Sequence, residues 1–70
     1  MSVARVIEIS STSTESFEDA IQQGVSRAHE TLRHVRSAWI KEQRLEVSEE
    51  GAIVSYQVNM LLTFLLEPGD

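Results

Sequence analysis

Apolar positions at the start of the chain follow the pattern of a strand that leads into a helix. Residues 3–9 are mostly apolar and rich in β-branched side chains, which predicts a first β-strand. The hydroxyl-rich residues 10–14 are predicted to form a loop that caps the following helix. Thr12 would form a capping box with Glu15, whereas Ser13 as N-cap would place Glu15 in the first turn, where the helix dipole favours an acid.

The next apolar residues recur at steps of three and four, which predicts one amphipathic helix running to about Arg36. Its apolar stripe consists of Phe17, Ala20, Ile21, Gly24, Val25, Ala28, Leu32 and Val35. Gly24 costs roughly 1 kcal/mol in helix propensity. We therefore expect it to allow a close approach between the helix and a sheet.

Two further strands are predicted in the second half of the chain. Residues 38–47 form one and residues 52–66 the other, joined by a hairpin loop over 48–51 in which Gly51 supplies a positive φ. The order β-α-β-β over residues 1–70 predicts a single α+β domain: a three-stranded, antiparallel sheet with one long helix on one face.

The predicted elements are longer than a globule of this size. A helix of about 22 residues would span ~33 Å, and a third strand of about 15 residues ~50 Å. A compact chain of this length has a diameter of only roughly 28 Å. One helix also cannot cover both faces of a sheet, so we expect the chain to self-associate.

Composition excludes several functional classes. The net charge of −5 argues against a nucleic-acid partner, and the absence of cysteine removes disulfides and thiolate chemistry. The apolar run at 60–66 is far too short to cross a membrane, and no signal peptide precedes it, so a cytoplasmic protein is expected. Nothing places a nucleophile beside a base, which predicts a binding protein rather than an enzyme.

The single tryptophan is predicted to lie on the face of the sheet that points away from the helix. If Ala38 and Ile40 face the helix, Trp39 faces away from it, and by the same alternation Gln57 faces away on the third strand. We expect Trp39 and Gln57 to be close neighbours that stack a flat ring and bond its polar edge. The alternative is that Trp39 fills a subunit interface.

Five segments in order resemble the dodecins, over nearly the whole chain. They are R-V-I-E-I at 5–9, S-T-S-T-E-S-F-E-D-A-I at 11–21, R-A-H-E-T-L-R at 27–33, A-W-I-K-E-Q at 38–43 and Y-Q-V-N-M-L-L-T-F-L-L-E at 56–67. The resemblance implies a sheet partly wrapped around the helix and twelve copies closed into a hollow homododecamer. It also implies binding of a flavin, riboflavin or FMN, for storage, buffering and photoprotective quenching.

In flavin-binding dodecins a strand-two tryptophan and its symmetry mate sandwich the flavins, and a strand-three glutamine bonds the ring edge. Trp39 and Gln57 are the matching residues, and each site would need two chains. Aligned through I-K-E-Q, however, Ser37 takes the usual tryptophan position. That local pattern is similar to the calcium-binding dodecin branch, so an ion-binding or structural shell with Trp39 as interface packing is the alternative.

Other polar residues give weaker signals. Lys41 and Arg44 flank the predicted site and could meet a flavin phosphate, although exposed strand charges are as common. His29 and His34 lie five apart, on different helix faces, and are expected to be surface residues. The acids Glu46, Glu49 and Glu50 lack the pattern of a calcium loop and are expected to be a solvated turn. No metal site is predicted within one chain.

Overall fold

The computed structural model describes residues 3–66, which form one helix and three strands. The elements are β1 (Ala4–Ser13), α1 (Phe17–Leu32), β2 (Val35–Val47) and β3 (Ile53–Leu65). Strand order is β1-β3-β2 with both pairs antiparallel. The predicted α+β class and the order β-α-β-β are therefore confirmed, and the helix covers one face of the sheet.

β1 is longer than the sequence suggested. Residues 10–13, predicted as a loop, continue the strand and pair with β3 from Ser10↔Asn59 to Ser13↔Tyr56. The long third strand offers ladder hydrogen bonds to these hydroxyl residues, and pairing outweighs their modest strand propensity. The predicted loop is therefore wrong, and the real connection covers only the residues between β1 and α1.

The helix begins later than predicted because a different hydroxyl caps it. Ser16 is the N-cap, and its side chain accepts a hydrogen bond from the backbone N–H of Asp19 at 2.9 Å. Both expected caps are wrong. Thr12 lies within β1, and Ser13 instead donates from its buried hydroxyl to Oδ2 of Asp19 at 2.7 Å. That hydroxyl also accepts from the N–H of Glu15 at 2.8 Å.

The helix also ends at Leu32 rather than near Arg36. Arg33 and His34 have positive φ values of 64° and 50°, and they turn the chain directly into β2. The N–H of Arg33 still bonds the carbonyl of His29 at 3.0 Å. No glycine or proline marks this turn, so the apolar period runs through it in the sequence, and Val35 belongs to β2 instead of the helix stripe.

The hairpin between β2 and β3 is confirmed. Gly51 has φ 86°, and its N–H bonds the carbonyl of Ser48 at 2.9 Å. The N–H of Ser48 in turn bonds the carbonyl of Ala52 at 2.8 Å. This loop fixes which residues of β2 and β3 lie opposite each other.

The core lies between α1 and the central strand β3. Val58, Met60 and Leu62 of β3 and Ala20 of α1 are fully buried, and Ala28 of α1 is nearly so. Around them pack the half-buried residues Ile7, Ile9, Phe17, Ile21, Val25 and Leu32. The predicted helix stripe is thus confirmed up to Leu32.

Gly24 brings the helix against the sheet, as its place in the stripe predicted. A Cβ at this position would overlap Cε of Met60 and stand 3.0 Å from Cβ of Ser11. Cε of Met60 ends a flexible side chain and would have to shift within a fully buried site, whereas Cβ of Ser11 is fixed to the backbone of the paired strand β1. The absent side chain therefore sets the spacing between α1 and the sheet.

Coverage by the helix is uneven, and the chain is elongated. Every residue of β2 except Val35 is exposed, because α1 lies mainly over β1 and β3. The chain measures 55 × 19 × 13 Å with a radius of gyration of 14.5 Å, so the predicted overhang of the third strand is confirmed. The predicted overhang of the helix is wrong, because α1 has only 16 residues and spans ~24 Å. Three register shifts interrupt the pairing of β2 with β3, at Arg36, at Lys41 and between Glu46 and Val47. Within residues 3–66 no helix is long and apolar enough to span a membrane.

Gly24→Ala should destabilise the fold despite the better helix propensity of alanine. Overpacking against Met60 and Ser11 costs about 1–3 kcal/mol, and the propensity gain returns about 1 kcal/mol at most. We expect a net loss of about 1 kcal/mol in the free energy of unfolding, measured by chemical denaturation. Ser26→Ala, on the exposed face of the same helix, is the control and should be neutral. An equal response of the two variants would contradict the close approach.

Candidate functional site

The sheet has an outer face that the helix leaves uncovered. Ala38 and Ile40 pair with Leu62 and Met60, so they point to the helix side, and Trp39 pairs with Leu61 on the other side. The outer face also carries Val6, Glu8 and Ser10 of β1, Glu42 and Arg44 of β2, and Gln57, Asn59 and Thr63 of β3. The predicted orientation of Trp39 is confirmed, and 67% of its surface is exposed.

Trp39 and Gln57 share the outer face but are not neighbours, so that part of the prediction is wrong. The strand partner of Trp39 is Leu61, and the partner of Gln57 is Arg44. Four positions along β3 separate Leu61 from Gln57, a distance of about 13 Å at ~3.4 Å per residue. The hairpin register causes the separation, since Trp39 lies farther before the Gly51 turn than Gln57 lies after it.

The β-bulge that could have reversed the orientation of Trp39 lies elsewhere. The register shift is at Lys41, one residue beyond Ile40, so alternation holds from Ala38 to Ile40. Beyond the shift the outer face continues with Glu42 rather than Lys41. The bulge therefore changes which polar side chains follow the indole and leaves the indole itself in place.

Gln57 belongs to a polar network at one end of the outer face. Its Nε2 donates to Oγ of Ser10 at 2.8 Å and to Oδ1 of Asn59 at 3.4 Å. Asn59 in turn donates to Oε1 of Glu42 at 3.1 Å. The hydrogen bonds among residues 3–66 leave the carbonyl oxygen of Gln57 as an acceptor for a further donor.

The other end of the outer face is largely apolar. Trp39 and Val6 are exposed there, and Leu61 and Leu65 are half-buried. Glu8 marks the boundary with the polar end, because it pairs with Leu61 while the next outward residue of β1 is Ser10. An apolar patch beside a polar network suits a ligand with a flat ring and a polar edge, and it equally suits a second protein surface.

The two predicted cations lie at different ends of this face. Lys41 contacts both carboxylate oxygens of Glu8 at 3.3 Å, near the Trp39 end. Arg44 contacts Glu46 at 2.8 Å, beside Gln57. All four side chains are about half exposed, so each pair contributes at most ~1 kcal/mol and would give way to a stronger anion.

Sequence reasoning missed Ser10, Glu8 and Glu42 as members of the face. The signal was present in β1, where Val6, Glu8 and Ser10 alternate with the inward Ile7 and Ile9. Placing Ser10 in a loop concealed it. Glu8 can be identified as the partner of Lys41 only once the strand order β1-β3-β2 is known, and the apolar pattern of the sequence does not determine that order.

The remaining titratable residues do not form a cluster. His29 lies in the last turn of α1, and His34 lies in the turn to β2. The hairpin acids Glu49 and Glu50 are exposed. Within the described part of the chain, no three His, Asp or Glu side chains come close enough to hold a metal ion.

Comparison with known proteins agrees with this architecture. The family model described as Dodecin matches residues 3–67. The dodecin of Thermus thermophilus is 40% identical over 93% of each chain. The calcium dodecin of Mycobacterium tuberculosis is 35% identical over 97% of this chain and 94% of its own length. The crystal structure of a tryptophan-to-phenylalanine mutant of the Thermus dodecin superposes with a TM-score of 0.87 at 38% identity, covering 97% of this chain and all of that one.

These matches cover all five segments on which the sequence resemblance was based. They also cover the helix and strands that those segments form. The family model extends from β1 through β3, and the solved relative reproduces the arrangement of the strands around the helix. The resemblance drawn from sequence is thereby confirmed: this chain belongs to the dodecin family.

Proposed function

We propose that this chain is a flavin-binding subunit of a homododecameric shell that stores and buffers riboflavin or FMN. The observation that carries the proposal is the indole of Trp39, which is two-thirds exposed on a sheet face that its own helix does not cover. An exposed aromatic face is a stacking surface, and an isoalloxazine ring is flat and aromatic. Stacked indole is an electron donor to excited flavin, which gives the shell a photoprotective role.

A complete site needs two copies of the chain. One indole covers one side of a flavin, and a symmetry-related Trp39 would cover the other side of a stacked pair. Gln57 lies about 13 Å along the strand from the partner of Trp39. Its carboxamide is therefore best placed to serve a ligand that is stacked on the indole of another copy. Its free carbonyl oxygen can accept a hydrogen bond from the imide N–H of the flavin edge.

The attention given to a tryptophan in a relative adds support for a role of the indole. The Thermus protein named dodecin is 40% identical, and its tryptophan was the residue changed in one of the crystallised mutants. The departure at Ser37 moves the indole two residues along β2 but leaves it on the outer face, because Ser37 pairs with Thr63 and Trp39 with Leu61. The stacking surface is thus displaced along the strand and keeps its direction.

Added riboflavin or FMN should lose its fluorescence when titrated with the protein, because the stacked indole quenches the excited ring. Trp39→Ala should weaken binding by at least about tenfold, which corresponds to about 1.4 kcal/mol, and Trp39→Phe should retain part of it. Val3→Ala, which removes a similarly exposed apolar side chain outside the site, is the control. Native mass is measured in parallel. Undiminished flavin emission at saturating wild-type protein would rule the proposal out.

Lys41 and Arg44 should distinguish FMN from riboflavin. Each cation now contacts an exposed carboxylate that a phosphate can displace. We expect FMN to bind more tightly than riboflavin at low salt, and Lys41→Met with Arg44→Met to reduce FMN affinity about two- to fivefold without changing riboflavin affinity. Arg5→Met, a cation on the helix side of β1, serves as the control. Equal losses for both flavins would exclude a phosphate contact.

A second candidate function is a shell that binds calcium or serves only as a structure, with Trp39 packed between subunits. Two observations favour it. Trp39 lies at the apolar end beside Leu61, away from Gln57, whose amide nitrogen is already bonded. The Mycobacterium relative is named calcium dodecin. Since residues 3–66 of one chain form no metal cluster, an ion would need ligands from more than one copy.

Calcium should stabilise the assembled protein if this second function holds. A ligand that binds only the native state raises stability by RT ln(1 + [L]/Kd), about 2.7 kcal/mol at a hundredfold excess over Kd. The melting temperature in calcium would exceed that in magnesium at equal ionic strength, flavin would show no quenching, and Trp39→Ala would lower the native mass. An unchanged melting temperature would leave only the structural shell.

A further inference from the structure

A row of polar side chains crosses all three strands on the outer face. Ser10 of β1 and Glu42 of β2 are both strand partners of Asn59 in β3. Gln57 lies two residues before Asn59 on the same face, and it donates to Ser10 at 2.8 Å and to Asn59 at 3.4 Å. Asn59 donates in turn to Glu42 at 3.1 Å. The four side chains therefore form one network that ends on a carboxylate.

The carboxylate of Glu42 determines the direction of the bonds between the two amides. An ionised carboxylate can only accept hydrogen bonds, so Asn59 must turn its NH2 group toward Glu42. The carbonyl oxygen of Asn59 then faces Gln57, which must donate from its own NH2 group. The hydroxyl of Ser10 can either donate or accept, so it holds Gln57 in place without choosing the orientation of its amide.

The carbonyl oxygen of Gln57 is the group that this arrangement leaves for a ligand. The NH2 group of Gln57 already has two acceptors, Ser10 and Asn59. Arg44, the strand partner of Gln57, contacts Glu46 at 2.8 Å instead. Within residues 3–66 no side chain donates to the carbonyl oxygen of Gln57. Gln57 therefore presents an acceptor, and no donor, to the outer face.

The β-bulge at Lys41 is the reason that a carboxylate stands opposite Asn59. Without the register shift, alternation from Trp39 would make Lys41 the strand partner of Asn59. An ammonium group can only donate, so it would bond the carbonyl oxygen of Asn59 and reverse both amides. The extra residue brings Glu42 to that position. The bulge thus sets the polarity of the network.

We propose that Glu42 is a positioning residue that acts through Asn59, fixes the carbonyl oxygen of Gln57 outward, and so selects ligands whose ring edge carries an N–H donor. The imide N–H of an isoalloxazine ring is such a donor. A ring with an alkyl group on that nitrogen would cover the oxygen of Gln57 and leave it without a partner, which weakens binding. The inference rests on the proposed flavin binding and adds the determinant of its selectivity.

Two flavins that differ only at the imide nitrogen test the inference. The wild-type protein should bind riboflavin at least about fivefold more tightly than the analogue that is methylated on this nitrogen, which is the worth of one hydrogen bond. Fluorescence quenching gives both dissociation constants. Their ratio is the quantity compared between variants, because a change in folding or assembly affects the binding of both flavins alike. Native mass is measured for every variant.

Reversing the polarity of the network should remove the selectivity. Glu42→Lys should lower the ratio to about one or less, because the ammonium group turns both amides round and directs the NH2 group of Gln57 outward. Adding Asn59→Asp to Glu42→Lys should restore the wild-type ratio, since the new carboxylate can bond the ammonium group and again accept from Gln57. Glu30→Lys makes the same change of charge at an exposed position of α1 and should leave the ratio unchanged.

Two results would overturn the inference alone. If Glu42→Lys binds riboflavin and keeps the wild-type ratio, Glu42 does not orient Gln57. If the double variant stays unselective, the effect of Glu42→Lys comes from charge or packing and not from the direction of the hydrogen bonds. Failure of the wild-type protein to quench either flavin is a different outcome, because it overturns the proposed function and this inference together.

Discussion

The close packing of α1 on the central strand is the constraint on which the structure depends. Gly24 has no side chain, so the helix rests directly on Met60 and Ser11, and three residues of β3 become fully buried. With one helix this short, α1 can cover only β1 and β3 well. β2 is left exposed along nearly its whole length. The helix packs closely on β1 and β3 and leaves β2 and the outer face of the sheet uncovered, and the candidate site lies on that outer face.

Much of the fold follows from local pattern, and the errors share one cause. The helix stripe, the three strands and the Gly51 hairpin each have a sequence signal that acts within a few residues. The extension of β1 through Ser10 depends on pairing with Asn59, and the helix end at Leu32 depends on two non-glycine residues with positive φ. Neither tertiary pairing nor an unmarked turn is visible in periodicity. The helix was therefore predicted too long at both ends.

The sequence predicted which face of the sheet carries Trp39 and Gln57, but not the distance between these two residues. Alternation along β2 placed Trp39 on the outer face, because no bulge lies between Ala38 and Ile40. Alternation predicts which face of the sheet a residue occupies, but not how far it lies from the hairpin turn. It therefore placed Gln57 beside the indole of Trp39, whereas the strand register separates the two residues. The separation has a physical consequence, because the indole of Trp39 and the carboxamide of Gln57 lie at opposite ends of one face of the same chain. A ligand that uses both therefore reports on contact between chains.

The register shifts in β2 bear on how one copy of the chain could meet another. Arg36 and Lys41 sit at register shifts along a strand whose far edge carries no neighbour. A regular, flat edge strand of this kind could pair with the same edge strand of another molecule and so form fibres. Here the pairing of the edge strand is irregular, and Arg36 and Lys41 lie at two of the three register shifts, features that disfavour edge-to-edge pairing. The closed assembly proposed for this chain therefore relies on contacts between faces, which are limited in extent, and not on edge-to-edge pairing of β2.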